Sequence, residues 1–147
     1  MDFRIIKADE VTKTVKKLLM DCNYNIGSDI TNALEKAKET EKSEVGKQVI
    51  CQLLENNKIA EVEQIPLCQD TGMAVLFVQY GDKVVIEGGS FKSAVTNGVR
   101  QAYKDGYLRK SVVNDPVFDR INTKDNTPAI IHTEIVPGDK ITILAGG

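Results

Sequence analysis

The sequence has 147 residues, 41% hydrophobic and 27% charged, with a formal net charge of −2 at pH 7. That leaves room for one domain with a buried core, or for a piece of a larger one. A slightly acidic balance with 5% aromatics and no Trp excludes a protein built to grip phosphate backbones or stack bases, so no nucleic-acid partner is expected. Residues 1–7 show no apolar segment behind a basic start, and the longest apolar run, residues 73–78, is too short to cross a bilayer. The expectation is a soluble cytoplasmic protein with no membrane partner. Cys22, Cys51 and Cys68 are odd in number and widely spaced, which fits a reducing compartment better than a disulfide framework.

The first 60 residues read as about three helices. Val11, Val15, Leu18, Leu19 and Cys22 form one helical stripe, with Asp9 as its cap. Asn23 to Gly27 breaks it. Ser28 is placed to cap a second helix with Ile30, Ala33, Leu34 and Ala37 inside. Ser43 is placed to cap a third with Val45, Val49, Leu53 and Leu54 inside, ended by Asn56-Asn57. On these stripes Cys22 and Cys51 read as core thiols. The alternating charges from Glu35 to Glu44 suit a solvated face.

Residues 61–147 read as mixed α/β. Met73 to Tyr80 suits a buried strand, and Gly81-Asp82 a hairpin turn into Val84-Val85-Ile86. Ser90 is placed to cap a helix with Phe91, Val95, Val99, Ala102 and Tyr103 on one face and Gly106 at its end. Arg100 and Lys104 on that helix read as solvated. Residues 111–128 show no regular period. Ala129 to Val136 and Lys140 to Ala145 read as strands about a Pro137-Gly138 turn. The predicted class is α+β: a helical unit, then a small mixed or antiparallel sheet with at least one packed helix. The strand pattern at residues 141–144 runs directly into Ala145-Gly146-Gly147, which suggests a chain truncated at its C-terminus.

The sharpest local chemistry is Pro66-Leu67-Cys68-Gln69-Asp70-Thr71-Gly72. A thiol, an amide and a carboxylate stand together in a loop bounded by Pro and Gly. Such a thiol can serve as nucleophile or metal ligand, or can be an inert free cysteine. No second Cys lies at zinc-knuckle spacing. His132, the one histidine, shares a strand face with Glu134. The pair suits an acid–base role, or a polar pair on a solvated sheet.

Pro66-x-Cys68-Gln69-Asp70-Thr71-Gly72 resembles the signature of class I fumarate hydratases and the related L-tartrate dehydratases. Leu108-Arg109-x-Ser111 with Asp115-Pro116 is similar to the next family segment. So are Arg120-x-Asn122-Thr123-x-Asp125-Asn126-x-Pro128, His132-x-Glu134-x-Val136-x-Gly138-Asp139, and the opening of a glycine-rich turn at Gly146-Gly147. The resemblance is strong over 66–147 and weaker before it. It implies the N-terminal part of an α subunit of an iron–sulfur hydro-lyase acting on C4 dicarboxylates, either fumarate to malate or L-tartrate to oxaloacetate. It implies a 4Fe–4S cluster with Cys68 as one ligand, a soft thiolate of the kind that suits iron–sulfur. It also implies Gln69 and Asp70 beside the substrate, with Asp70 catalytic, and Arg109 on a substrate carboxylate. A guanidinium suits that task because it stays charged and donates two parallel hydrogen bonds. His132 matches as an acid–base or supporting residue. Thr123, Asp125 and Asn126 are expected to fix a loop.

Cys22 and Cys51 match no ligand position. The family's other two cluster cysteines lie beyond residue 147, so this chain alone is expected to hold no stable cluster and to be inactive. The expected partners are the C-terminal domain or β subunit, in a homodimer or an assembly of two α and two β subunits. The rival reading is a non-catalytic interaction domain with an inert Cys68. A thiol redox protein is a third reading, weakened by the lack of a nearby resolving Cys.

Overall fold

The computed structural model describes residues 2–68 and 72–147. The elements run in order β1 (Arg4–Lys7), α1 (Ala8–Tyr24), α2 (Ser28–Thr40), α3 (Glu44–Glu63), β2 (Val75–Gly81), β3 (Val84–Glu87), α4 (Phe91–Asp105), β4 (Ile130–Val136) and β5 (Ile141–Gly146). This is the predicted α+β class, with β1 as an addition. Arg4–Lys7 pairs in parallel with β3, register Arg4 to Val84.

The core forms where α1 and α4 cross. Val11, Val15 and Leu19 of α1 are buried with Val95, Val99, Ala102 and Tyr103 of α4, against Leu76 and Val78 of β2. Burying a Leu or Val side chain of this kind contributes roughly 1.5–3 kcal/mol each. The crossing is close because Gly98 has no side chain. A Cβ there would stand 2.7 Å from both the Thr12 carbonyl oxygen and Val15 Cβ. The Thr12 hydroxyl donates to Ala94 O at 2.9 Å across the same contact. Ser90 caps α4 as expected, accepting from the Ser93 N–H at 3.1 Å.

β2 is the middle strand of a mixed sheet, order β4-β2-β5. β4 runs parallel to it and β5 antiparallel. The expected hairpin at Gly81-Asp82 is therefore corrected: Gly81 to Lys83 does turn the chain, but β3 leaves to join β1. The Pro137-Gly138 turn does not pair the strands it joins, since β4 and β5 flank β2. β2 is also buried on one face only: Leu76 and Val78 point inward while Phe77 is 54% exposed.

The helical region departs most from its periodicity. Lys7, not Asp9, occupies the N-cap position of α1, with no side-chain capping bond, and Asp9 sits in the first turn paired to Lys13 at 2.6 Å. α2 begins at Ser28 itself, with Gly27 in the capping position. Ser43 does cap α3, accepting from the Gly46 N–H at 3.2 Å. α3 then continues through Asn56-Asn57 and ends at Gln64, in the left-handed region. Interior Asn costs a helix only a fraction of a kcal/mol (~0.7 at most), so tertiary bonds override it. α2 buries no residue and α3 only Ala60. The two helices pack on each other as an arm. Val45 (70% exposed), Val49 and Leu53 line its surface. Cys22 and Cys51 are exposed as well, not core thiols.

Candidate functional site

The chain leaves α3 and is tied down at the start of the signature segment. The Leu67 N–H donates to Asn23 O at 2.9 Å, at the end of α1. The Cys68 N–H donates to Asn56 Oδ1 at 3.0 Å, in the middle of α3. Cys68 is exposed. Its backbone is thus anchored while the residue stays exposed. Gln69 and Asp70, the expected substrate residues, lie outside the described residues, as does Thr71.

The chain is tied down again at Gly72, on the way into β2. The Gly72 carbonyl accepts from the Ser111 hydroxyl at 3.0 Å and from Asn126 Nδ2 at 3.2 Å. Asn126 is 0% exposed. Its Oδ1 accepts the N–H groups of Ser111 and Val112, at 2.8 and 2.9 Å. Its φ of 59° is left-handed, a region Asn tolerates better than most residues. Burial raises the pKa of the Tyr103 hydroxyl, and the Asn126 side chain beside it acts the other way. A Cβ on Gly147 would lie 2.9 Å from that hydroxyl and 3.8 Å from Ala74 Cα. One buried amide therefore joins the cysteine segment, the Arg109–Ser111 segment and the loop before β4, with the final glycine beside it.

Residues 107–129 are irregular but densely bonded. Asp115 Oδ1 accepts from Val117 N and Phe118 N, and Thr123 N donates to Val112 O. Arg100, read as solvated, is in fact paired to Asp125 at 2.8 Å. Burial pushes the Asp125 carboxyl up, but hydrogen bonds from Arg100 and Thr127 outweigh it and hold the pKa at about 2. The expectation that Thr123, Asp125 and Asn126 shape a loop is met, and Asn126 reaches further than that.

Arg109 is exposed, two residues from the Ser111 bond to Gly72. His132 and Glu134 share the outer sheet face with Phe77, Gln79, Thr142 and Leu144, over a shallow groove of about 470 Å³. His132 stacks on Phe77, ring centres 4.9 Å apart and planes 14° from parallel. The Ile130 N–H donates to Ala74 O at 2.9 Å, so β4 starts beside the Gly72 junction, and His132 stands two residues further on. His132 itself is not one of the residues bonded at that junction.

Among the described residues no group of three or more His, Cys, Asp or Glu is placed to hold a metal ion. An anchored, exposed Cys68 fits the part of a single soft ligand. Cys22 does not extend it: although the residue is exposed, its Sγ turns back to donate to Leu19 O at 3.3 Å, and partial desolvation raises the thiol pKa. Cys51 lies on α3 among Glu44, Lys47 and Gln48, on the arm. Among the described residues no helix is long and apolar enough to cross a membrane.

Sequence reasoning missed Asn56, taken for a helix terminator, and took Tyr103 for plain core. An Asn-Asn pair inside an otherwise helical pattern was the available signal for the first.

Residues 12–146 match the family described as fumarate hydratase (Fumerase). The chain is 35% identical over 118 residues to a putative L(+)-tartrate dehydratase subunit alpha of Methanocaldococcus jannaschii, covering 80% of this chain and 41% of that protein. It is 37% identical over 109 residues to an aerobic class I fumarate hydratase of Escherichia coli, covering 73% of this chain and 20% of that one. It is 29% identical over 146 residues to the L(+)-tartrate dehydratase subunit alpha of Escherichia coli, covering 95% and 47%. The chain thus spans less than half the length of these relatives. The motif segments joined at Gly72 and Asn126 and the match over nearly the whole chain agree: the chain belongs to the fumarate hydratase (Fumerase) family.

Proposed function

We propose that this chain is the N-terminal part of the α subunit, or α region, of a cytoplasmic 4Fe–4S-dependent hydro-lyase. Its reaction is the reversible hydration of fumarate to malate, or the dehydration of L-tartrate to oxaloacetate. The observation that carries the reading is the junction at Gly72. It ties the segment after Cys68 to the segment bearing Arg109, through Ser111 Oγ and Asn126 Nδ2. A site for a small dicarboxylate needs such separate segments held in fixed relation.

Cys68 is the proposed ligand for one iron, through its thiolate. When bound, the cluster supplies a Lewis-acidic iron with an open position. Arg109 holds one substrate carboxylate through its guanidinium fork. Gln69 and Asp70 orient the substrate hydroxyl and the water it exchanges with, and Asp70 carries the associated proton. His132, stacked on Phe77, is proposed as an acid–base or supporting residue reached from the outer sheet face. The chain has three cysteines, two of them placed away from this role, so the 147 residues alone are expected to bind no cluster and turn over no substrate. The remainder of the α chain is proposed to supply the other two cluster cysteines, and the C-terminal domain or β subunit the catalytic base and further carboxylate contacts. A homodimer, or two α with two β subunits, is the proposed assembly.

The test is anaerobic turnover by the full-length protein with its partner, offered fumarate and L-tartrate separately, in wild type and Arg109→Gln. Loss of either substrate, with KM raised at least tenfold in Arg109→Gln, supports the reading. Turnover of neither by a cluster-loaded wild type contradicts it.

A further inference from the structure

We propose that Asn126 is the positioning residue of this site, setting the cysteine segment against the Arg109 segment; this rests on the hydro-lyase reading above. Asn126 is fully buried, and both ends of its amide are used. The oxygen accepts two consecutive backbone N–H groups, Ser111 and Val112. The nitrogen donates to Gly72 O, four residues past Cys68. Ser111 closes the ring by donating its own hydroxyl to the same carbonyl. A primary amide accepts at its oxygen and donates from its nitrogen about 2 Å away, so one uncharged side chain bonds both segments at once.

Asn126 is itself fixed from outside. Its neighbour Asp125 is locked by Arg100 at 2.8 Å and by the Thr127 hydroxyl at 2.7 Å. Tyr103 of α4 is buried beside the Asn126 amide. The position of Gly72 is therefore referred to the rigid α4 face and not to the loop alone. The hydrogen bonds of Asn126 go to Ser111, Val112 and Gly72, so its effect is on the relation between the two segments. Misplacing reacting groups by about 1 Å costs roughly a hundredfold in rate.

Asn126→Asp tests this. It keeps the acceptor for Ser111 and Val112, removes the donor to Gly72, and sets a carboxylate oxygen against that carbonyl. Ser111→Ala removes only the hydroxyl clasp. Val95→Ala, in the core away from the site, serves as a control for plain loss of stability. The full-length protein with its partner is assayed for kcat and KM, and the metal-free protein for the alkylation rate of Cys68. The expected result is kcat/KM lower by about 10–100-fold in Asn126→Asp. It includes a fall in kcat, a smaller fall in Ser111→Ala, and Cys68 alkylation several-fold faster in both. Val95→Ala should leave kcat, KM and alkylation near wild type. If Asn126→Asp behaves like Val95→Ala in all three, Asn126 only holds the fold and the proposal is overturned. Wild type without turnover, but with Cys68 alkylation accelerated in Asn126→Asp, would overturn the hydro-lyase reading and leave the positioning role standing.

Discussion

The Cys68 N–H donates to Asn56 Oδ1 at 3.0 Å, so the middle of α3 fixes the backbone of the proposed metal ligand. Asn56→Ala leaves that N–H to solvent. The bond is exposed, so the stability cost should be small, about 0.5–1 kcal/mol. The larger effect should be on the thiol: Cys68 alkylation in the metal-free chain should accelerate several-fold. Asn56→Asp keeps an acceptor and should stay near wild type. Equal alkylation rates in all three proteins would show that α3 does not restrain Cys68.

Gly98 has no room for a methyl group, with Thr12 O and Val15 Cβ each 2.7 Å from its ideal position. Ala is the better helix former by ~1 kcal/mol, so propensity alone predicts that Gly98→Ala stabilises. Overpacking costs about 1–3 kcal/mol and should win, because the nearest atom is backbone. Thermal unfolding of Gly98→Ala should therefore show a lower Tm. A raised Tm would mean that α1 and α4 separate more easily than their packing implies.

Acid should loosen the loop before β4. The Asp125 pKa is lowered from 3.8 to about 2 in the folded chain. Its folded form thus binds fewer protons than its unfolded form between those values. The stabilisation is complete above pH 3.8 and lost as pH falls toward 2. With Arg100 half exposed, it should amount to about 1–2 kcal/mol. In Arg100→Gln, stability measured by urea titration should depend less steeply on pH between 4 and 2. An unchanged slope would show that the pair does not set that carboxyl.

The bare face of the arm should tolerate charge. Val45 is 70% exposed in the first turn of α3. Val45→Glu places an acid near a helix N-terminus and should shift stability by no more than ~0.5 kcal/mol, if anything upward. Leu76→Ala, at a 0% exposed position, should cost about 2–5 kcal/mol. A large loss in Val45→Glu would mean that the arm is covered in solution.

Much of this was legible in the residue pattern. The face and both ends of α4 followed from its 3.6-residue period, from Ser90 and from Gly106, because that helix is amphipathic and packs on the body. The strands β2 to β5, though not β1, followed from apolar runs and alternation, as did the shared face of His132 and Glu134. Strand partners did not. Short turns at Gly81-Asp82 and Pro137-Gly138 imply hairpins locally, but pairing is decided by non-local contacts, and β2 takes both neighbours from elsewhere. The stripes of α2 and α3 imply an inside face, but a stripe does not say whether anything covers it, and Ile30, Val45, Val49 and Leu53 stand exposed. At the site, the motif residues around Cys68, Arg109 and Asn126 were visible as resemblance. That a single buried amide joins them was not, since Gly72, Ser111 and Asn126 are up to 54 residues apart in the chain.

Cys68 as the one cluster ligand in this chain is tested most directly by iron content. The full-length protein with its partner should be reconstituted anaerobically with iron and sulfide, as wild type and as Cys22→Ser, Cys51→Ser and Cys68→Ser. Iron per protein and the visible absorbance of the cluster would be read for each. Cys22→Ser and Cys51→Ser should match wild type, and Cys68→Ser should lose most of its iron and its absorbance. Full iron and unchanged absorbance in Cys68→Ser would contradict the assignment.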